Sequence, residues 1–178
     1  MTADPLPDAE AALAALVARM QGKVAPDAAF VGIYSGGAWV AERLVQRLGA
    51  RPLGFIDVAY YRDDYARSGL KPNTRRTSLP FEVDGATIVL VDDVLYTGRS
   101  VRAAVNELFD FGRPERVELA VLVDRGGREL PIEATYVGAR VAVARDLTVA
   151  LSRDANGALA LAAEPARRRE RAEPRVAR

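Results

Sequence analysis

Apolar residues recur along the chain at two spacings. From Asp8 to Gly22 they fall at Leu13, Leu16, Val17 and Met20, one face of a helix that Asp8 can cap. Ala28 to Tyr34 is a short apolar run and reads as a buried strand. Helical spacing returns over Gly37 to Leu48, with Val40, Leu44, Val45 and Leu48 on one face and Gly49 as the stop. Leu53 to Tyr61 is a second strand candidate. Ala86 to Val91, ATIVLV, is strongly β-prone and suits the centre of a parallel sheet, with its end at Val91. Arg99 to Phe111 reads as a helix that turns Val101, Val105, Leu108 and Phe109 inward and stops at Gly112. Strands follow at Arg116 to Val123 and Thr135 to Val143. Leu147 to Leu151 and Leu159 to Leu161 form a closing hairpin. Strands alternating with helices predict an α/β fold, a mostly parallel central sheet flanked by helices.

Two stretches break the pattern. Arg62 to Thr77 holds four Arg, one Lys and two Asp with few apolar residues. A polar connection of this length is either a functional lid or a plain surface loop. Residues 164–178 hold six Arg and three Glu and read as a disordered, solvated tail beyond a domain over residues 1–163.

Composition narrows the chemistry. The 178 residues suit one domain of ordinary size. Cysteine and histidine are both absent. Thiolate metal sites, cysteine nucleophiles, Ser-His-Asp triads and imidazole acids or bases are thereby excluded. Catalysis must run on carboxylates, hydroxyls, arginines and backbone amides. The net charge is +1, and without the tail 19 basic face 21 acidic residues. That is not the footprint of a strong non-specific nucleic-acid binder. No signal region opens the chain and no apolar run is long enough to span a membrane, so a cytoplasmic protein is expected.

The informative segment is Val89 to Ser100, VLVDDVLYTGRS. A strand leads into two carboxylates, Asp92 and Asp93, then a short loop with Thr97 and Gly98, then Ser100 and a helix. Ligands of open α/β sheets sit beyond the carboxyl ends of strands. A helix N-terminus offers amides and a positive dipole end to a phosphate. Gly98 lets backbone come close, and Thr97 and Ser100 add hydroxyls. Adjacent carboxylates do not bind phosphate, but they suit vicinal ribose hydroxyls or a hydrated Mg²⁺. The segment reads as a ribose-5-phosphate site. The alternative is a pair of Asp serving as loop and cap residues.

VLVDDVLYTGRS resembles the PRPP-binding motif of type I phosphoribosyltransferases. DDVLYTGR followed by GRPERVELAVLVDRGGRELPIEATYVG is similar to the PyrR family, with further likeness upstream in VGIYSGGAWVAERL and YYRDDY. Members are bacterial regulators of pyrimidine-operon attenuation that also have uracil phosphoribosyltransferase activity. The resemblance covers roughly residues 10–152. It implies a type I phosphoribosyltransferase fold with a small hood and a mobile loop over residues 62–77. It implies PRPP, uracil and UMP or UTP as ligands, Mg²⁺ carried with PRPP or pyrophosphate, a pyrimidine-operon leader RNA as partner, and a homodimer or tetramer. Asp92 and Asp93 would hold the ribose hydroxyls. The stretch Val94, Leu95, Tyr96, Thr97, Gly98, Arg99 and Ser100 would form the phosphate site. Ser35, Gly36 and Gly37 would form the pyrophosphate loop. Arg62, Arg75 and Arg76 of the hood and Arg125 beside the substrate would supply positive charge. Val149 would line the base pocket, and Arg128 would contact RNA.

Three positions depart from the family pattern. Ser35-Gly36-Gly37 stands where Thr-Arg-Gly is common, so one guanidinium is missing from the pyrophosphate loop. Gly127 replaces a usual histidine and Glu133 a usual arginine, in a stretch the resemblance associates with RNA. A carboxylate there repels phosphate. Two further readings therefore stand beside the bifunctional one: a nucleotide-sensing RNA-binding regulator with little turnover, and an enzyme that has lost RNA binding. Trp39 is expected to pack on its helix. Arg128 is expected either to bind RNA or to pair with Glu129 or Glu133.

Overall fold

The computed structural model describes residues 6–58 and 76–166. Five strands form one sheet: β1 (Ala29–Ile33), β2 (Leu53–Ile56), β3 (Thr87–Leu95), β4 (Arg116–Asp124) and β5 (Tyr136–Arg140). Their order is β2-β1-β3-β4-β5 and every pairing is parallel. Helices α1 (Ala9–Met20) and α2 (Gly36–Leu48) pack on one face and α3 (Arg99–Phe111) on the other. An antiparallel hairpin, β6 (Leu147–Arg153) and β7 (Leu159–Pro165), closes the described chain. No described helix is long and apolar enough to cross a membrane.

The two faces divide the apolar residues by strand alternation. Val89 and Val91 of β3 join Phe30, Leu13, Leu16, Val40 and Leu44 under α1 and α2. Ile88 and Leu90 join Val31, Ile33, Val101, Ala104 and Leu108 under α3. Because both faces are covered, β1 reads as an unbroken buried run. Asp8 caps α1 as expected, its Oδ1 accepting from the Ala11 amide at 2.8 Å.

The hairpin is fastened to the helices by polar contacts. Glu10 accepts from Arg43 at 2.7 Å and from the Leu159 amide at 3.2 Å. Arg43 also donates to the Gly157 carbonyl. Arg153 lies over the Trp39 ring at 5.1 Å and pairs with Glu42 at 2.9 Å. Trp39 packs against the core from α2, as expected.

Several boundaries differ from the sequence pattern. β3 does not end at Val91. It runs through Asp92 and Asp93 to Leu95, because β4 continues beside it and pairs Asp92 with Val121, Val94 with Val123 and Leu95 with Asp124. Phe109 is not inward but half exposed, since its neighbour Leu108 takes the core-facing position. β5 stops at Arg140 rather than Val143. β7 takes Glu164 and Pro165, which the charge pattern placed in the tail, by pairing them with Thr148 and Leu147. Tyr60, Tyr61, Arg62 and Arg75, most of the 62–77 loop, and the tail from residue 167 lie outside the described residues.

Candidate active site

The strand order reverses between β1 and β3. The loops leaving these strands diverge there and open a crevice at the carboxyl edge of the sheet. From β1 the chain passes Tyr34, whose ring stacks on Phe55 at 5.4 Å, and a cis Tyr34–Ser35 peptide, then enters α2 at Gly36. Ser35 is exposed, while Gly36 and Gly37 are buried. A Cβ on Gly37 would stand 2.4 Å from the Val91 carbonyl oxygen. One on Gly36 would stand 2.3 Å from Asp93 Oδ2. The two glycines thus let the first turn of α2 lie directly on the end of β3.

The structure brings the two segments together that the motif reading singled out. Asp92 is 5% exposed at the end of β3, and its Oδ1 accepts from the Asp93 amide at 3.0 Å. Asp93 is half-buried and faces Gly36. After Val94 and Leu95 the chain turns through Tyr96, Thr97 and Gly98. Gly98 has φ +90° and caps α3, so the amides of Arg99 and Ser100 form that helix's first turn. Thr97 Oγ1 accepts from the Arg99 amide at 3.3 Å. This is the loop-to-helix geometry that receives a phosphate.

A second loop, residues 125–133, wraps the first from outside. The amides of Glu129 and Leu130 donate to the Thr97 carbonyl at 3.0 and 3.2 Å. Arg99 pairs with Glu129 at 2.9 Å. Gly127, φ +73°, lies so close to Tyr96 that a Cβ would stand 2.4 Å from its Cε2. The histidine usual here would have to displace that ring.

Arg128 pairs with neither Glu129 nor Glu133. Its guanidinium pairs with Asp124 at 2.7 Å and donates to the carbonyls of Tyr96 and Ile132, both at 3.0 Å. The turn through Gly126 and Gly127 swings it back over the end of β4. Asp124 was not singled out from sequence. Its place at the carboxyl end of a parallel strand was the available signal.

Arg125 is 7% exposed. It stacks on Tyr96 with its Cζ 4.1 Å from the ring centroid. Its two Nη atoms donate to the carbonyls of Leu147 at 2.8 Å and Ala144 at 3.1 Å, while its Nε is buried without a hydrogen-bond partner. Arg125 therefore ties the turn at Leu95 and Tyr96 to the start of β6, two residues before Val149. Val149 is buried in the hairpin at 5% exposure. Arg76 is exposed where the described chain resumes. Thr77 beside it donates to Glu107 of α3 at 2.9 Å and accepts from the Asp57 amide at 3.4 Å.

Among the described residues no cluster of three or more His, Cys, Asp or Glu could cage a metal. Asp92 and Asp93 are consecutive at the end of β3, and strand alternation turns Asp93 toward Gly36 of α2 and Asp92 toward the opposite face. Mg²⁺ commonly binds through one or two carboxylates, several waters and substrate phosphates. The donor set fits a cation that arrives with a phosphorylated ligand.

Comparison with known proteins places the chain in a family. Residues 6–145 match the family described as the phosphoribosyl transferase domain. The hypoxanthine phosphoribosyltransferase of Trypanosoma cruzi shares the fold, with a TM-score of 0.59 at 19% identity over 80% of this chain and 83% of that one. A purine phosphoribosyltransferase from Pyrococcus horikoshii gives a TM-score of 0.56 at 26% identity, covering 74% and 81%. The bifunctional protein PyrR of Ralstonia nicotianae is 55% identical over 157 residues, 86% of this chain and 90% of that protein. That of Pseudomonas paraeruginosa is 54% identical over 123 residues, 68% and 72%. The protein is therefore a type I phosphoribosyltransferase that belongs to the PyrR family.

Proposed function

We propose that the protein transfers the phosphoribosyl group of PRPP to uracil, and that UMP or UTP in the same pocket governs its binding to a pyrimidine-operon leader RNA. The observation that carries this reading is the meeting of Gly36 and Gly37 with Asp92 and Asp93 at the strand-order reversal, beside the Thr97–Ser100 loop. The names of its relatives support both halves. A cytoplasmic homodimer or tetramer is part of the proposal.

In the reaction, N1 of uracil forms a bond to the ribose anomeric carbon. The bond from that carbon to pyrophosphate breaks, and N1 loses its proton. The transition state is oxocarbenium-like, as in other glycosyl transfers. Uracil can enter as its anion, so no histidine base is required. Thr97, Gly98, Arg99 and Ser100 hold the 5′-phosphate with backbone amides and hydroxyls. Asp92 and Asp93 accept from the ribose hydroxyls and favour positive charge developing on the ring. Mg²⁺, when bound with PRPP, neutralises charge on the departing pyrophosphate. The α2 N-terminus at Gly36 and Gly37 presents backbone amides to that group. Arg62, Arg75 and Arg76 add positive charge from the hood loop. Arg125 positions Tyr96 and the start of β6 near the base.

The test is UMP formation from uracil and PRPP with Mg²⁺. Replacing Asp92 and Asp93 together by Asn should abolish turnover while circular dichroism and melting stay native. Near-normal turnover in that variant would overturn the site. An enzyme without RNA binding is the second reading. It is favoured by the engagement of Arg128 with Asp124 and by the exposed carboxylate of Glu133.

A further inference from the structure

Gly36 belongs to the loop proposed for pyrophosphate, yet its nearest neighbour across the crevice is the Asp93 carboxyl. A Cβ at 36 would stand 2.3 Å from Asp93 Oδ2, 2.5 Å from its Cγ and 2.9 Å from its Cβ. Turning the carboxylate away would relieve the first two contacts. The third would remain, because Asp93 Cβ is fixed by β3, whose flanking residues Asp92 and Val94 pair with Val121 and Val123. The backbone of α2 cannot retreat freely either. Gly37 rests on the Val91 carbonyl, and Gly32 is packed against the Ala38 backbone, where a Cβ would stand 2.6 Å from Ala38 Cα. Any side chain at 36 and the present orientation of Asp93 therefore exclude one another.

From this we infer that Gly36 is a positioning residue for ribose recognition, holding the Asp93 carboxylate toward the sugar by leaving it room. The inference rests on the proposed role of Asp93 as a ribose ligand and adds a determinant to it. It also gives a physical reason for the missing arginine. Restoring Arg at 36 would supply a guanidinium but push Asp93 off its position, so the substitution should weaken ribose binding rather than strengthen the site.

UMP separates this role from pyrophosphate binding, because it carries ribose hydroxyls and a 5′-phosphate but no pyrophosphate. The experiment measures UMP and 2′,3′-dideoxy-UMP affinity by calorimetry for wild type, Gly36→Ala, Gly36→Arg, Asp93→Gly and Gly36→Ala/Asp93→Gly. Melting curves confirm that each variant is folded. Losing a hydrogen bond to a charged group is worth about a tenfold change in affinity or more. Gly36→Ala and Gly36→Arg should each weaken UMP by about that factor and leave the dideoxy nucleotide within about twofold of wild type. In the Asp93→Gly background, which also removes the Cβ contact, Gly36→Ala should cost less than about twofold, the non-additivity of residues that act through one another. Additive losses, equal losses with both nucleotides, or unchanged UMP affinity in Gly36→Ala would overturn the inference. If wild type binds neither UMP nor PRPP, the functional reading fails first, and the two failures are distinguishable.

Discussion

Gly37 shows how little room the site leaves at the scale of one residue. Its Cα faces the Val91 carbonyl and Asp92 Cα, both backbone, so an added methyl has nothing soft to displace. Gly37→Ala should destabilise the fold by about 1–3 kcal/mol, as overpacking generally does, read as a lower urea midpoint at an unchanged m-value. Tyr136 is a residue whose ionisation the fold shifts. It is buried in β5, and burial, followed by its hydrogen bond to Glu118 at 3.0 Å and the charge of that carboxylate, raises its pKa above the ordinary value of about 10. The folded state then holds this proton more firmly than the unfolded chain. The stability it contributes is complete below about pH 10 and is lost as pH rises through the raised folded value. Tyr136→Phe should remove that part of the alkaline slope. Denaturation midpoints measured between neutral pH and about pH 11 would show it, and an unchanged slope would place the effect elsewhere.

Among the elements, the 125–133 loop is the one whose role the chain concealed. The regular elements were legible because their apolar periods are strong and both sheet faces are covered. Asp8, Gly49 and Gly112 marked helix ends where the structure has them. The end of β3 was not legible, because paired aspartates look like loop residues unless β4 is known to continue beside them. The meeting of Gly36 with Asp93 was only half legible: the motifs named both, but their contact depends on the first turn of α2 lying against β3. The partner of Arg128 was hidden for a similar reason. Asp124, Glu129 and Glu133 are all near it in sequence, and two successive left-handed glycines, at φ +68° and +73°, decide in favour of Asp124. Arg128 thereby clamps the backbone at Tyr96 to the end of β4. Arg128→Met should cost about 1–3 kcal/mol, since it takes the guanidinium from the carbonyls of Tyr96 and Ile132 and leaves the partly buried Asp124 carboxylate with only the Gly126 amide and the more distant Arg140. Chemical denaturation measures it. A loss of RNA affinity in that variant with stability unchanged would instead assign Arg128 to the RNA.

For the molecule as a whole, the two halves of the proposed function draw on different surfaces. The pocket proposed for the nucleotide lies at the carboxyl edge of the sheet. A leader RNA must be held by exposed cations, because phosphate contacts dominate such affinity. Outside the tail the acidic residues slightly outnumber the basic ones. On the face formed by residues 124–133, Arg125 is buried, Arg128 is paired with Asp124 and Glu129 is paired with Arg99, while Glu133 stands exposed. This face offers RNA no unengaged positive charge among its own residues, and one negative charge opposes it. Glu133→Arg reverses that charge without touching the pocket. It should strengthen leader binding severalfold in a gel shift with UMP present, steepen the salt dependence by about one counterion, and leave UMP formation unchanged. RNA affinity indifferent to this reversal would mean that the RNA does not meet this face, and that a basic region elsewhere in the chain carries the regulatory half.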